Sequence, residues 1–180
     1  KENADFGIVV DPDVDRLALV CEDGSMFGEE YTLVACADYV LGKLGGGNTV
    51  SNLSSSRALR DVTQKHGGTY TASAVGEVNV VIKMKETNTV IGGEGNGGII
   101  YPASHYGRDS LVGVALFLSL MAHKKISCKA LRDSYPSYFM SKNKIQLTPQ
   151  INVDLILEMM ANKYSSEDVN TIDGVKIDFE

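Results

Sequence analysis

Three carboxylates at alternate positions, Asp11, Asp13 and Asp15, lie in the run Gly7-Ile8-Val9-Val10-Asp11-Pro12-Asp13-Val14-Asp15-Arg16-Leu17-Ala18-Leu19-Val20. In an extended loop, carboxylates at i, i+2 and i+4 can converge on one small hard cation. Crowded together without a cation, they would repel one another and raise each other's pKa. The spacing therefore points to a divalent-metal site, with Mg²⁺ as the expected ion. Arg16 follows directly, and a second apolar strand leaves after it.

Three other readings of this stretch remain open on the residues alone. A calcium loop of the EF-hand type would use Asp11, Asp13, Asp15 and Glu22, but Arg16 stands where that loop needs glycine for its sharp turn. A phosphatase of the haloacid-dehalogenase type would use Asp11 as nucleophile and Asp13 as general acid, although Asp15 departs from that pattern. The third reading is a solvated acidic turn between two strands.

A second stretch carries chemistry of another kind. In Ile91-Gly92-Gly93-Glu94-Gly95-Asn96-Gly97-Gly98, Glu94 and Asn96 are the two side chains able to reach outward. Glycine lets backbone approach a ligand closely, and a carboxylate two residues from an amide can grip neighbouring hydroxyls. That suits a sugar; a flexible glycine turn is the plain alternative.

The elements that must position these loops follow from periodicity. Phe6–Val10 and Leu17–Glu22 read as strands on either side of the acidic loop. Helices are expected over Glu30–Leu44, Arg57–His66, Glu77–Glu86, Leu111–His123, Ser127–Tyr135 and Val153–Tyr164. In the third of these, Val78, Val81, Ile82 and Lys85 are expected on one face. Strands are expected over Thr49–Leu53, Thr69–Ala74, Thr89–Gly92, Ile99–Tyr101 and Met140–Leu147. Strands alternating with helices predict an α/β chain whose central part is a three-layer α/β/α domain.

Together the two loops resemble those of the α-D-phosphohexomutase superfamily, which covers phosphoglucomutase, phosphomannomutase and phosphoglucosamine mutase. That family's metal loop, Asp-Pro/Gly-Asp-x-Asp-Arg, is matched by Asp11–Arg16. Its sugar loop, Gly-Glu-x-Ser-Gly-His/Gly, is matched by Gly93–Gly98 with Asn96 in place of Ser. Val75-Gly76-Glu77 resembles its short turn in which His, Asp or Glu follows glycine. The resemblance implies a four-domain isomerase, an intramolecular phosphotransferase that exchanges hexose 1-phosphate and 6-phosphate. The phosphoryl group would pass through a phosphoserine and a bisphosphorylated sugar, with Mg²⁺ as cofactor. Asp11, Asp13 and Asp15 would hold the metal and Arg16 would contact phosphate. Glu94, Asn96 and Glu77 would bind the phosphosugar substrate. The alternatives are the phosphatase using Asp11 and Asp13, or a non-catalytic module that binds metal and sugar.

The family's Thr-Ala-Ser-His-Asn-Pro phosphoserine motif does not occur in this sequence; Pro102-Ala103-Ser104-His105-Tyr106 imitates only its centre. No catalytic nucleophile is expected in this chain. Residues 1–25 are read as the C-terminal hairpin of domain 2, 26–136 as domain 3, and 137–180 as linker and start of domain 4. The hairpin would then be left from a neighbouring domain, with open edges able to pair with a second copy of the chain.

Composition agrees with a globular chain of 180 residues, 43% hydrophobic and 22% charged. A net charge of −6 with no basic run argues against nucleic acid. Cys21, Cys36 and Cys128 are scattered without zinc spacing, which fits reduced thiols and a cytoplasmic location. No apolar run approaches the ~20 residues that cross a bilayer. Without its phosphoserine, the metal loop lacks one ligand. The chain by itself is expected to show no mutase turnover and to bind Mg²⁺ only weakly. Calorimetry showing micromolar or tighter binding would contradict this.

Overall fold

The strands of the sequence lie between helices in the computed structural model, which describes residues 3–148 and 150–179. The chain divides into two compact units, Lys1–Tyr138 and Phe139–Glu180. In the first unit, β1 (Phe6–Val10) and β2 (Leu17–Cys21) form an antiparallel hairpin around the acidic loop. Then follow α1 (Glu29–Leu44), β3 (Asn48–Asn52), α2 (Ala58–Lys65), β4 (Tyr70–Ser73) and α3 (Glu77–Glu86). The unit continues with β5 (Thr89–Glu94), β6 (Gly98–Ile100), α4 (Ser110–Lys124) and α5 (Cys128–Asp133).

The central sheet has the order β4-β3-β5-β6. β3 pairs in parallel with β4 and β5, and β6 returns antiparallel to β5. Parallel strands need both faces covered, and the two cores show how this is done. On one face Ile91 and Ile99 pack with Leu33, Val40 and Leu41 of α1, Leu59 and Val62 of α2, and Leu116 and Phe117 of α4. On the other, Val50 and Ile100 pack with Val80 and Met84 of α3. Neighbours Ile99 and Ile100 thus serve opposite cores, as the alternation of a strand requires.

The expected apolar face of α3 is corrected here. Val78 and Ile82 are exposed, and Val80 and Met84 are the buried pair. Several spacings fit a short apolar helix, and contact with the sheet selects one of them. The glycine loop also differs from expectation. β5 extends to Glu94 and β6 begins at Gly98, so Glu94 is the last residue of a strand rather than a loop residue.

β2 alternates strictly: Leu17, Leu19 and Cys21 are buried in the same core as α1 and α4. Phe117 meets Phe6 and Phe27 edge to face, at centroid distances of 5.4 and 5.1 Å. Such contacts add about 0.5–1.5 kcal/mol to ordinary burial. Ile8, Val9 and Val10 of β1 are exposed. The hairpin is tied to the sheet at its far end, where the Leu17 N–H donates to the Gly97 carbonyl at 3.0 Å. Gly97 has φ +86°, and a Cβ there would stand 2.4 Å from the Leu17 oxygen.

In the second unit, α6 (Val153–Lys163) precedes an antiparallel pair, β7 (Asp168–Asn170) and β8 (Lys176–Asp178). The strand expected over Met140–Leu147 does not form. Met140, Ile145 and Leu147 are exposed, and no described strand pairs with this segment. A short segment becomes a strand only when a partner accepts its ladder. No helix among the described residues is long and apolar enough to cross a membrane. All three cysteines are free and buried.

One buried charge joins the helices. Asp38 of α1 accepts hydrogen bonds from Lys124 Nζ at 2.6 Å and Tyr135 Oη at 2.9 Å, and it meets His66 Nε2 at 2.8 Å. Burial opposes its ionisation, but these three partners outweigh burial and hold its carboxyl below the usual range. A folded-state pKa below the unfolded value adds stability that is complete above the unfolded pKa of about 4 and is lost as pH falls through the folded value. Asp38→Asn is expected to cost about 3 kcal/mol near neutral pH. In urea titrations the gap from wild type should narrow toward pH 3. Gly97→Ala, which forces both a strained φ and a backbone clash, should cost about 2 kcal/mol or more by the same titration.

Candidate active site

The parallel strands end on one edge of the sheet, and polar groups gather there. Asn52 closes β3 and Glu94 closes β5; the Asn52 Nδ2 donates to Glu94 Oε1 at 2.8 Å. Crevices at the carboxyl ends of parallel strands are the usual ligand sites of open α/β sheets. The first turn of α1 joins this edge, because Glu30 Oε2 accepts the Ser56 N–H at 2.8 Å. A Cβ at position 95 would lie 2.2 Å from Glu30 Oε1, so Gly95 is what admits that carboxylate.

The side chain that draws the site together is Arg108, which the motif reading passed over. Its NH2 lies 2.6 Å from Asp15 Oδ2, its NH1 3.1 Å from Glu94 Oε2, and its Nε 3.2 Å from Glu77 Oε2. The Arg108 backbone N–H also donates to Glu77 Oε1 at 3.1 Å. Asp15 comes from the acidic loop, Glu77 from the start of α3 and Glu94 from the end of β5. One guanidinium thus ties together three segments that are far apart in sequence. The signal that could have found it is an arginine just before Asp109, which caps α4 by accepting from the Val112 N–H at 3.0 Å.

The acidic loop is held at several points. Asp11 Oδ1 accepts the backbone N–H groups of Asp15 and Arg16, each at 3.2 Å. Burial opposes ionisation of Asp11, but these bonds and the Arg16 charge keep its carboxyl below the usual value. That commitment to its own loop does not suit a free nucleophile. Val14, a β-branched residue, sits at φ +57°, an uncommon and strained conformation. Its carbonyl accepts the Ser110 hydroxyl at 2.7 Å. Arg16 Nε stands 3.7 Å from Asp11 Oδ2 and 3.8 Å from Asp15 Oδ1, and its side chain is half exposed. Asp13 is exposed at the loop tip.

Whether this loop suits a hard cation is tested by Asp15. Its Oδ1 is buried without a hydrogen-bond partner. Burial raises its pKa, the Arg108 charge opposes that rise, and the neighbouring Asp11 adds to it. Asp11, Asp15, Glu77 and Glu94 face two guanidiniums, Arg16 and Arg108. These carboxylates outnumber the two guanidiniums, and the orphaned oxygen is a hard donor. The donor chemistry therefore fits, with Asp11 and Asp15 as its near pair. Among the described residues, no three such groups are already gathered as a metal cage. Asp13 is not brought to the other two.

Asn96 turns inward on its own loop, its Oδ1 accepting the Gly98 N–H at 3.2 Å. It also borders an open pocket of about 250 Å³ shared with Asp11, Arg16 and Glu29. Ser104 Oγ and His105 Nδ1 lie 3.2 Å apart on the exposed loop after β6. The expected substrate contacts Glu77 and Glu94 are thus brought to one place with Asp15, while Asn96 lies beside Asp11 and Arg16.

Comparison with known proteins agrees with this architecture. Residues 28–138 match the family described as phosphoglucomutase/phosphomannomutase, alpha/beta/alpha domain III. The chain is 32% identical over 179 residues to a phosphoglucomutase/phosphomannomutase of Thermococcus kodakarensis, covering 98% of this chain and 39% of that protein. It is also 32% identical over 177 residues to a phosphoglucosamine/phosphogalactosamine mutase of Sulfurisphaera tokodaii, covering 96% of this chain and 39% of that protein. Among solved structures, a phosphoglucomutase/phosphomannomutase family protein of Burkholderia thailandensis superposes with a TM-score of 0.80 at 28% identity, over 98% of this chain and 38% of that one. The chain therefore spans about two-fifths of the length of its curated relatives. A mixed sheet with α1, α2 and α4 on one face and α3 on the other, joined to this match over 28–138, shows that the chain belongs to the phosphoglucomutase/phosphomannomutase family.

Proposed function

We propose that this chain is the cation- and sugar-binding part of a phosphohexomutase. The whole polypeptide would interconvert hexose 1-phosphate and hexose 6-phosphate of glucose, mannose or glucosamine. The observation that carries this reading is the gathering of Asp15, Glu77 and Glu94 on Arg108 at the carboxyl edge of the sheet. Relatives named as mutases of these sugar phosphates support it.

On this reading residues 1–25 are the end of domain 2, 26–136 domain 3, and 137–180 a linker and the start of domain 4. Asp11, Asp13 and Asp15 would hold Mg²⁺, which when bound offsets charge on a transferring phosphoryl group. Arg16, half exposed beside the pocket, would donate to a phosphate oxygen. Glu94, oriented by Asn52 and Arg108, would offer its carboxylate oxygens to sugar hydroxyls. Glu77 shares that role. Asn96 offers the amide of the pair. The seryl phosphate, and the loop that grips the substrate's distal phosphate, would come from the remainder of the polypeptide. The exposed β1 strand supports pairing with strands of that remainder or, in the isolated chain, with a second copy. A cytoplasmic setting suits phosphosugar substrates and free buried thiols.

The test is the full-length polypeptide assayed for exchange between hexose 1- and 6-phosphates with Mg²⁺. Turnover is expected, and Asp13→Asn should lower kcat/KM by about 100-fold or more. Turnover that survives this substitution would sink the metal assignment. Release of inorganic phosphate in place of isomerised sugar would overturn the mutase reading.

A further inference from the structure

We propose that Arg108 is a positioning residue that couples the cation loop to the sugar-binding carboxylates, favouring sugar binding while opposing the cation. This rests on the functional reading above for the identity of the two ligands. The geometry is specific. Nε and NH1 hold Glu77 and Glu94, and NH2 holds Asp15 at 2.6 Å, the shortest of the three contacts. The guanidinium is largely buried, its side chain 15% exposed. A planar fork with fixed N–H directions can hold three carboxylates in set orientations, which an ammonium cannot do. Two residues on, the Ser110 hydroxyl pins the strained Val14 carbonyl. The segment Arg108–Ser110 therefore grips the acidic loop at two points, once by charge and once by a neutral hydrogen bond.

The two halves of the site feel Arg108 with opposite sign. For Glu77 and Glu94, the guanidinium supplies orientation and partly offsets two nearby negative charges. For Asp15, it is a cation already seated on one oxygen, in competition with any metal that takes the other. A unit charge a few ångströms from a cation site weakens cation binding strongly, even with solvent screening. A residue that merely held the fold together would weaken both functions when removed.

The experiment compares wild type, Arg108→Gln and Arg108→Lys in the full-length polypeptide. Mn²⁺ affinity is measured by calorimetry or electron paramagnetic resonance without sugar. KM and kcat are measured at saturating Mg²⁺. Arg108→Gln should tighten Mn²⁺ binding by about tenfold and raise KM by about tenfold or more, with a smaller fall in kcat. Arg108→Lys keeps the charge but loses the fork, so its Mn²⁺ affinity should stay near wild type while KM rises. If Arg108→Gln does not fold, the lysine variant alone carries the test. Unchanged or weaker Mn²⁺ binding by a folded Arg108→Gln would overturn the proposal, as would an unchanged KM in Arg108→Lys. If wild type binds Mn²⁺ yet lacks mutase activity, the functional reading has failed. The metal titration still decides the cation half of the coupling.

Discussion

The site depends on one charge arrangement. Asp15, Glu77 and Glu94 are drawn together around the guanidinium of Arg108. Three carboxylates this close would otherwise repel one another and shift toward their neutral forms. A single lysine could not answer all three, because an ammonium offers a point charge without fixed directions. Arg108 is itself held in place. It lies between the antiparallel return of β6 and the Asp109 cap of α4, and its backbone N–H is bonded to Glu77. The surrounding fold can be understood as what brings these pieces to one edge of the sheet. β5 delivers Glu94, the start of α3 delivers Glu77, and the β1–β2 hairpin delivers Asp15.

The hairpin illustrates how packing and function share residues. Leu17 and Leu19 are buried with α1 and α4, and that burial aims the acidic loop at the sheet edge. The Leu17 N–H bond to Gly97 then couples the acidic loop to the glycine loop through backbone alone. Burial of a leucine side chain contributes roughly 1.5–3 kcal/mol, so two of them can hold a loop that carries strain at Val14 and crowded charge. Strain of about 1–3 kcal/mol persists only where surrounding structure enforces it. Here the enforcing contacts are Ser110 on Val14 and Arg108 on Asp15.

Much of the fold was legible in the chain. The strands of the central sheet and the helices between them lie within a few residues of where periodicity puts them. For β5 and β6 that small shift matters, because it takes the strands into the glycine loop as far as Glu94 and Gly98. The misreadings share a cause. In α3, Val78 and Ile82 satisfied a helical spacing as well as Val80 and Met84 did, and only the sheet beneath the helix distinguished them. Met140–Leu147, expected as a strand, has no described strand to pair with. In both cases a local pattern allowed two outcomes, and a non-local contact chose one.

The sequence by itself determined which residues could do chemistry. Aspartates at i, i+2 and i+4 and a carboxylate inside a glycine run are chemical facts of the chain, and their motifs pointed to the family. Only the tertiary structure decided how they meet. Arg108 stands in no motif, because its value lies in reaching three partners that are distant along the chain, and sequence spacing carries no information about such contacts. The state of each carboxylate was likewise decided in three dimensions. Asp11 is bonded to the backbone of its own loop, Asp15 has one buried oxygen without a hydrogen bond, and Asp13 is left at the exposed tip. Charge and residue type are properties of the chain; desolvation and the direction of a hydrogen bond exist only once it has folded.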